Sequence, residues 1–320
     1  MTNKNNEVLL SICIPTFNRP ELLIKSIGSI VKQDIFQNTN SVEIVISDNF
    51  PSQKNSETIL NYINKFGEKI IYSKTDFNIL DKNFERVLSY GNGLFLKLAN
   101  DTLVFEEGFL GYIVNLIKNN LKNKPILFFG NRLLKNKHDE YGYGLDFFVK
   151  EVSFYSTWIA SFGIWKSDFE SIVDFNKNSK LHLIQTDILF DQIKKDKLVF
   201  ISNKHLFNVQ TVTKKGGFDV VTVFLDNYNH LLFQQVQNNN LSLNIYKAEV
   251  KKVVNEFIIK AIVLSFYKLG FDYLYNKGFT RILKFFKGHP FYILAIIFYF
   301  IFYFVKYGVK KILNKFYSHN

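Results

Sequence analysis

The amino-acid sequence predicts an α/β fold with a mostly parallel central sheet and helices on both faces of that sheet. Strand and helix signals alternate through the first half of the 320 residues, as they do in successive β-α-β units. Apolar strands are expected over residues 9–14, 42–47 and 94–98, and each ends in polar residues. Open α/β sheets bind ligands outside the carboxyl ends of parallel strands. These three strand ends therefore predict a nucleotide site.

The other elements of the first half follow from the spacing of apolar residues. The first helix begins near Pro20, which suits an early helical position, and Asn18 can cap it. Its predicted inner face consists of Leu22, Leu23, Ser26, Ile27 and Ile30. Further helices are expected over residues 56–66, 80–90 and 106–120, and short strands over residues 69–72 and 126–130.

The regular alternation fades after residue 130. Residues 131–146, rich in Gly, Tyr, Lys and Asn, predict a loop or hairpin that faces the substrate. Aromatic and β-branched residues over 147–165 predict one or two strands. A helix over residues 180–195 and a strand over residues 198–202 complete the first domain. Several helices are expected beyond it.

Composition limits the classes of function. Cys13 is the single cysteine, so one chain can form neither a disulfide framework nor a cysteine-based metal site. The net charge of +12 suits an anionic partner. From residue 249 onward, Lys residues alternate with Phe, Tyr, Ile and Leu, a pattern that favours a membrane surface over a nucleic-acid groove. We therefore expect no nucleic-acid partner.

The segment expected to contact the membrane is an uncharged apolar run over residues 291–305. Its 15 residues are fewer than the roughly 20 that a spanning helix needs. We predict a basic-aromatic helix that lies in the membrane interface, and a buried terminal helix is the alternative. Residues 1–7 are polar and give no secretory signal, so we expect a cytoplasmic protein, peripheral on the inner face of the cell membrane. The flanking lysines are Lys284, Lys287, Lys306, Lys310 and Lys311.

Four segments together resemble family 2 glycosyltransferases of the GT-A fold. They are Ser11-Ile12-Cys13-Ile14-Pro15-Thr16-Phe17-Asn18-Arg19-Pro20, Glu43-Ile44-Val45-Ile46-Ser47-Asp48-Asn49, residues 78–83, and Leu98-Ala99-Asn100-Asp101-Thr102. Ser47-Asp48-Asn49 and Lys215-Gly216-Gly217 are similar to the abequosyltransferase-like branch of bacterial surface-polysaccharide enzymes. We therefore expect a GT-A catalytic domain over residues 1–212 and a helical, membrane-associating region over residues 213–320.

The resemblance implies an inverting enzyme that transfers a single sugar from a nucleotide-sugar donor to a saccharide acceptor. The membrane signal makes a lipid-linked oligosaccharide the expected acceptor, in a lipopolysaccharide or capsule pathway. In the family, the acidic residue at the Asp48 position hydrogen-bonds the base of the donor. The implied donor-binding residues are Pro15, Thr16, Phe17, Asn18, Arg19, Asp48, Asn49, Asn78, Asn83, Asn100, Lys214 and Lys215.

The residue types also leave plainer roles open for several of these positions. The alternative role for Asn18 is that of a helix cap without any donor contact, and the alternative for Arg19 is that of a solvated surface charge. Asn78 and Asn83 are typical turn formers. The pair Lys214-Lys215 is equally typical of a linker.

Asn100-Asp101-Thr102 occupies the place of the family's Asp-x-Asp motif, whose carboxylates hold a divalent cation. The resemblance implies Mn²⁺ or Mg²⁺ bound by Asp101 and Thr102, which would stabilise the departing diphosphate. Only the middle position is acidic here. The alternative is a weak metal whose place is taken by Lys97, Lys214 or Lys215.

The resemblance also implies a catalytic base near the start of a late helix. Asp187 fits that place, and Asp191, one helical turn later, is its competitor. A solvated helix charge is the alternative for both. Two rival functions remain: a nucleotidyltransferase, disfavoured because residues 15–20 contain no Gly, and a catalytically impaired nucleotide-sugar binding protein.

Overall fold

The computed structural model describes residues 7–50, 53–136, 138–211, 216–269 and 272–317. The chain divides into two compact units. The first comprises Met1–Lys180 and Ile184–Thr211, and the second comprises Leu181–Leu183 and Val212–Asn320. Lys214 and Lys215, predicted to bind the donor, lie outside the described residues.

The first unit alternates strands and helices. Its strands are β1 (Leu10–Thr16), β2 (Val42–Asp48), β3 (Ile70–Lys74), β4 (Phe95–Leu98), β5 (Leu103–Phe105), β6 (Ile126–Phe129), β7 (Glu140–Tyr143), β8 (Gly163–Trp165), β9 (Leu198–Ser202) and β10 (Phe207–Val209). Its helices are α1 (Pro20–Val31), α2 (Asp34–Asn38), α3 (Gln53–Phe66), α4 (Asn83–Ser89), α5 (Phe109–Asn120), α6 (Gly144–Val152), α7 (Lys166–Glu170) and α8 (Ile184–Gln192).

The central sheet has five strands in the order β3-β2-β1-β4-β8. The first four run parallel, and β8 pairs antiparallel with β4. A second sheet has the order β6-β9-β7, and β10 pairs with β5. The prediction of an α/β fold with a mostly parallel sheet is confirmed.

Strand register brings the ends of β1 and β2 to the same edge of the central sheet. Thr16 lies opposite Asp48 across the β1–β2 pair. Cys13 lies opposite Leu98 across the β1–β4 pair, and the amide of Ala99 donates to the Cys13 carbonyl at 2.9 Å. The residues that follow β4 therefore leave the sheet beside the end of β1.

Buried apolar residues fix the central sheet between its helices. Strand β1 is buried along nearly its whole length, as expected for a central strand covered on both faces. Helix α1 contributes Leu23, Ile27 and Ile30 to the same core, as its spacing predicts, and α5 adds Ile113 and Ile117. This packing holds the strand ends rigidly in place.

The prediction of strands over residues 147–165 is wrong for most of that segment. Helix α6 takes its first part, 3₁₀ turns follow, and only Gly163–Trp165 forms a strand. Leu145, Phe148, Val149 and Val152 are buried at helical spacing. Tertiary burial of that face outweighs the strand preference of aromatic and β-branched residues.

Other boundaries differ by a turn or a short element. The helix predicted over residues 180–195 is shorter, since α8 spans Ile184–Gln192 and Ser179–Leu181 forms a separate 3₁₀ turn. Residues 131–146, predicted as a loop or hairpin, contain β7, which pairs antiparallel with β9. That strand belongs to the second sheet.

The second unit is mainly helical. It contains β11 (Gly216–Asp219), α9 (Tyr228–Gln237), α10 (Leu243–Lys252), α11 (Ile259–Phe266), β12 (Asp272–Leu274), α12 (Gly278–Phe285) and α13 (Pro290–Tyr317), with π-helical turns over Thr222–Asn227 and Val253–Ile258. The short parallel pair β11–β12 was not predicted.

Helix α13 carries a longer apolar segment than the sequence analysis assigned. Pro290–Ile312 covers 23 residues, which is long and apolar enough to cross a membrane by length and composition. Only 11% of its most apolar window is buried. One side packs on α11, where Phe304 lies 5.4 Å from Phe266 and 5.0 Å from Tyr267 between ring centroids. The low burial does not fit the alternative of a buried terminal helix.

Candidate active site

A polar cleft opens at the carboxyl ends of β1, β2 and β4, and we call it the strand-end cleft. Its volume is about 320 Å³. Its lining residues are Pro15, Thr16, Phe17, Arg19, Asn49, Asn78, Leu80, Asp81, Asn83, Phe84, Asn100 and Asp101. The cleft therefore unites residues from the three strand ends and the Asn-rich segment that the sequence singled out.

The sequence analysis missed three residues of the cleft wall. Leu80 and Asp81 lie between the predicted Asn78 and Asn83, Phe84 directly follows Asn83, and all three line the same opening. Their position was the available signal, because a tight turn that brings two asparagines to a cleft brings the adjacent residues as well. Leu80 is 68% exposed and adopts a positive φ of 53°.

Thr16, Arg19 and Asp101 form the charged side of the cleft. The Thr16 hydroxyl donates to Asp101 Oδ2 at 2.8 Å, and Arg19 Nη1 lies 3.3 Å from Asp101 Oδ1. The Asp101 side chain is nearly fully buried, whereas the Arg19 side chain is 51% exposed. Burial raises the pKa of Asp101 above its usual value, and Arg19 and Thr16 oppose that shift.

Asn18 does not cap helix α1, so that prediction is wrong. Arg19 occupies the cap position and makes no side-chain capping bond, while Pro20 takes an early helical position as predicted. Asn18 instead adopts a left-handed conformation with φ of 51°, which Asn tolerates better than most residues. This backbone turn directs the chain from β1 into α1.

Asn49 and Asn78 hold the far wall of the cleft. Asn49 Nδ2 donates to Asn78 Oδ1 at 2.7 Å, and the Ile79 amide donates to Asn49 Oδ1 at 2.8 Å. Asn78 Oδ1 also accepts from the Leu80 amide at 2.9 Å. These bonds close the turn over residues 78–80 against the end of β2.

Asn83 is buried and hydrogen-bonded to Ser47 near the C-terminal end of β2. Its Nδ2 donates to the Ser47 carbonyl at 3.0 Å, and the Ser47 hydroxyl donates to its Oδ1 at 2.6 Å. Both groups are almost inaccessible to solvent. Such a reciprocal pair fixes the start of α4 against the sheet.

Asp48 lies beside this network and not among the residues that line the cleft. Its side chain is fully buried, and the Tyr72 hydroxyl donates to Asp48 Oδ2 at 3.4 Å. The amide of Thr75 donates to its carbonyl at 3.1 Å. The role of Asp48 in holding the donor base stays a prediction.

Lys97 does not supply a cation to the cleft, contrary to the alternative raised from sequence. It is 1% exposed, and its Nζ donates to the carbonyls of Leu98 at 2.7 Å and Ala160 at 2.5 Å. Burial lowers the pKa of Lys97 to about 7, opposed by nearby Cys13. The same burial raises the pKa of the Cys13 thiol. Lys97 thus braces residues 159–161 against β4.

The two predicted base candidates lie in different surroundings. Asp187 is 3% exposed and accepts a hydrogen bond from Asn178 Nδ2 at 3.0 Å. Asp191 is more exposed, forms an ion pair with Lys177, and lines a separate cavity of about 290 Å³. Neither carboxylate is among the described residues that line the strand-end cleft.

The donor set at the end of β4 does not fit a tightly held divalent cation. The described part of the chain contains no cluster of three or more His, Cys, Asp or Glu residues suited to a metal. Both oxygens of Asp101 already have partners, and one partner is the Arg19 guanidinium. Thr102, the second predicted ligand, is not a lining residue. A hard cation that prefers about six oxygen ligands finds one carboxylate at the end of β4, and Asp101 shares that carboxylate with Arg19. The other carboxylate that lines the cleft, Asp81, lies on the separate 3₁₀ turn over Leu80–Lys82.

Comparison with known proteins supports the family. The model for glycosyl transferase family 2 matches residues 11–170, half of the chain. Abequosyltransferase RfbV of Salmonella typhimurium is 34% identical over 111 residues. That alignment covers 32% of this chain and 33% of the relative, so this chain spans about a third of that protein's length. The predicted resemblance to the abequosyltransferase-like branch is confirmed.

Solved structures bear on the fold. TarS 1–349 of S. aureus in complex with UDP superposes with a TM-score of 0.59 and 11% identity, covering 86% of this chain and 78% of that chain. The same protein in complex with UDP-GlcNAc gives a TM-score of 0.59 and 11% identity, with 85% and 78% covered. This likeness confirms the predicted GT-A fold. On the family match, the chain belongs to glycosyl transferase family 2.

Proposed function

We propose that this protein transfers a single sugar from a nucleotide-sugar donor to a saccharide acceptor in bacterial surface-polysaccharide synthesis. One observation carries the proposal: the strand-end cleft is built wholly from residues inside the family match, and it presents a guanidinium, two carboxylates and several amides at one opening. The similarity to an abequosyltransferase supports a glycosyl donor.

Each part of a nucleotide-sugar has a suitable partner in the cleft. Phe17 is 47% exposed and offers an aromatic face to a nucleobase. Asn100 offers an amide group to ribose and sugar hydroxyls. Arg19 offers a fixed positive charge to the diphosphate. The nucleotide-sugar is therefore the ligand that matches the chemistry of this opening.

The proposed reaction is a single displacement with inversion. The acceptor hydroxyl attacks the anomeric carbon and passes its proton to a carboxylate base. The bond from that carbon to the phosphate oxygen breaks, and the nucleoside diphosphate leaves with the electron pair. We assign the base to Asp187, whose buried carboxylate is oriented by Asn178. Asp191 is the weaker candidate because it is paired with Lys177.

We propose a lipid-linked oligosaccharide as the acceptor and a place at the cytoplasmic face of the cell membrane. The exposed apolar surface of α13 supports this assignment, since its Phe291 is 87% exposed and its Phe298 is 66% exposed. Lys306 and Lys310 on the same helix suit anionic headgroups. An acceptor carried on a lipid would meet the enzyme at that surface.

The test combines donor binding with turnover in the full chain. A thermal-shift screen of UDP-, GDP- and CDP-sugars should find a donor that stabilises the fold by about 2.7 kcal/mol at a hundred times its Kd. Asp187→Asn should keep that shift and lose donor hydrolysis or transfer by about 10²- to 10⁴-fold. Asp196→Asn, an exposed carboxylate nearby in sequence, is the matched control and should behave as wild type.

Three results would count against parts of this proposal. A screen without any stabilising donor contradicts the function. Unchanged turnover in Asp187→Asn contradicts the assigned base alone. Donor binding with no hydrolysis or transfer in the wild-type chain favours a nucleotide-sugar binding protein.

A further inference from the structure

We propose that the Arg19 guanidinium, held by Asp101, is the cation that binds the donor diphosphate in this chain, in place of a divalent metal ion. This inference rests on the proposed donor-binding function. It starts from a disagreement: family 2 enzymes often use divalent cations, yet the donor set at the end of β4 does not fit one.

Asp101 forms an ion pair with Arg19 and fixes its orientation. Its carboxylate is almost completely buried, with Oδ2 fixed by the Thr16 hydroxyl at 2.8 Å and Oδ1 3.3 Å from Arg19 Nη1. Thr16 is itself buried, so this carboxylate cannot turn freely into the cleft. The three groups form one unit that joins the ends of β1 and β4.

Arg19 has donors to spare for a second anion. A guanidinium carries five N–H donors, and the contact with Asp101 engages Nη1. The Arg19 side chain is half exposed and lines the cleft. Its planar fork matches two phosphate oxygens. The remaining N–H groups can therefore meet a diphosphate in the cleft.

A metal ion at the same carboxylate would compete with Arg19. A divalent cation bound to Asp101 would stand beside the guanidinium, and like charges at that separation repel. The residues flanking Asp101 are Asn100 and Thr102, which supply an amide and a hydroxyl where the family has carboxylates. The chain has thus lost negative charge where the metal would bind and holds a resident positive charge there.

The same charge suits the proposed chemistry. When the bond from the anomeric carbon to the phosphate oxygen breaks, the electron pair stays on the leaving diphosphate. Arg19 stabilises that added charge through the N–H groups that its contact with Asp101 leaves available. Asp101 acts as a positioning residue, because it orients Arg19 and does not itself meet the donor phosphates.

The experiment measures nucleotide affinity with and without metal. UDP, GDP and CDP, each with its nucleoside, are titrated onto the full chain in EDTA and in Mg²⁺ or Mn²⁺. We expect at least one diphosphate to bind with the same affinity in EDTA as with metal. Arg19→Gln should weaken that diphosphate roughly ten- to hundredfold and leave its nucleoside unaffected, since a charge-assisted hydrogen bond is lost. Arg19→Lys should recover part of the affinity.

Lys25→Gln is the matched control, because it removes one positive charge from the exposed side of the same helix. It should leave both affinities unchanged. Equal losses of diphosphate and nucleoside affinity in Arg19→Gln would overturn the inference, since they indicate a structural role. Diphosphate binding that needs Mg²⁺ or Mn²⁺ would also overturn it and point to Asp101 with Asp81, while sparing the proposed function. Failure of every diphosphate to bind in any condition would overturn both.

Discussion

The strand-end cleft and helix α13 differ in which side chains they bury and which they expose. Around the cleft, polar groups such as Asp101 and Asn83 are buried and hydrogen-bonded. On α13, large apolar groups such as Phe291, Phe298 and Ile301 are mostly exposed. Burying polar groups and exposing apolar groups both cost free energy in water. The interactions that offset this cost differ between the two regions.

Buried polar groups are compensated inside the protein itself. A buried amide or hydroxyl without a partner destabilises the fold, so the paired bonds around Asn83 and Asn49 determine the shape of the cleft. An exposed apolar surface is compensated only by an outside partner. We therefore propose a small polar ligand for the cleft and a lipid surface for α13, and each proposal can be tested separately.

The largest effect is expected on α13. Replacing Phe298 and Ile301 by Asp should remove the binding of the full chain to vesicles that contain anionic lipid. Each apolar side chain withdrawn from lipid loses about 1.5–3 kcal/mol, so the pair should weaken partitioning by more than a hundredfold. Vesicle flotation measures the bound fraction.

Val173→Asp is the matched control for this double variant, because Val173 is a fully exposed apolar residue in the first unit. It should float like the wild type. Equal flotation of the wild type and the double variant would break the comparison, since the apolar surface of α13 would then need a different partner.

A smaller effect is expected in the amide network of the cleft. Asn83→Ala leaves the Ser47 hydroxyl and carbonyl without their partners in a buried site. We expect a loss of about 2–4 kcal/mol in the free energy of unfolding, measured by urea denaturation.

Asn78→Ala is the natural comparison within the same network. Asn78 is exposed, so water can replace its partners, and the loss should be near 1 kcal/mol. If the two variants were equally stable, buried amides would not be what holds the far wall of the cleft.

The sequence was sufficient to predict those parts of the fold and the site that depend on a local pattern of residues. The buried runs that became β1, β2 and β4 are short and apolar, and their polar ends lie together because parallel strands share a carboxyl edge. The Asn-rich segment over residues 78–83 was identified by its resemblance to family 2 glycosyltransferases.

The remaining features depend on contacts between distant parts of the chain. Arg19 and Asp101 are 82 residues apart, and nothing in either segment indicates their pairing. Lys97 and Arg19 are both cations beside strand ends, yet one is buried in the sheet and the other faces the cleft. The helix α6 was missed because burial of one face outweighed local strand preference.

Per pH unit, the smallest effect concerns Lys97, the buried lysine of β4. Its pKa is about 7 in the folded chain and near 10.5 when solvated, because burial disfavours the charged amine. Between these values the unfolded chain binds a proton that the folded chain does not. Stability from this group therefore rises with pH above about 7, by at most about 1.4 kcal/mol per pH unit.

Lys97→Met removes that titration. Urea unfolding at pH 7, 8 and 9 should show the wild type gaining stability relative to Lys97→Met as pH rises, whereas the exposed Lys25→Met should run parallel to the wild type. Parallel profiles for Lys97→Met would mean that the amine keeps its solvated pKa. The neutral amine still carries two N–H donors for the Leu98 and Ala160 carbonyls, so these hydrogen bonds survive loss of the charge. Lys97 therefore supports the polar residues at the end of β4 through its hydrogen bonds and not through its charge.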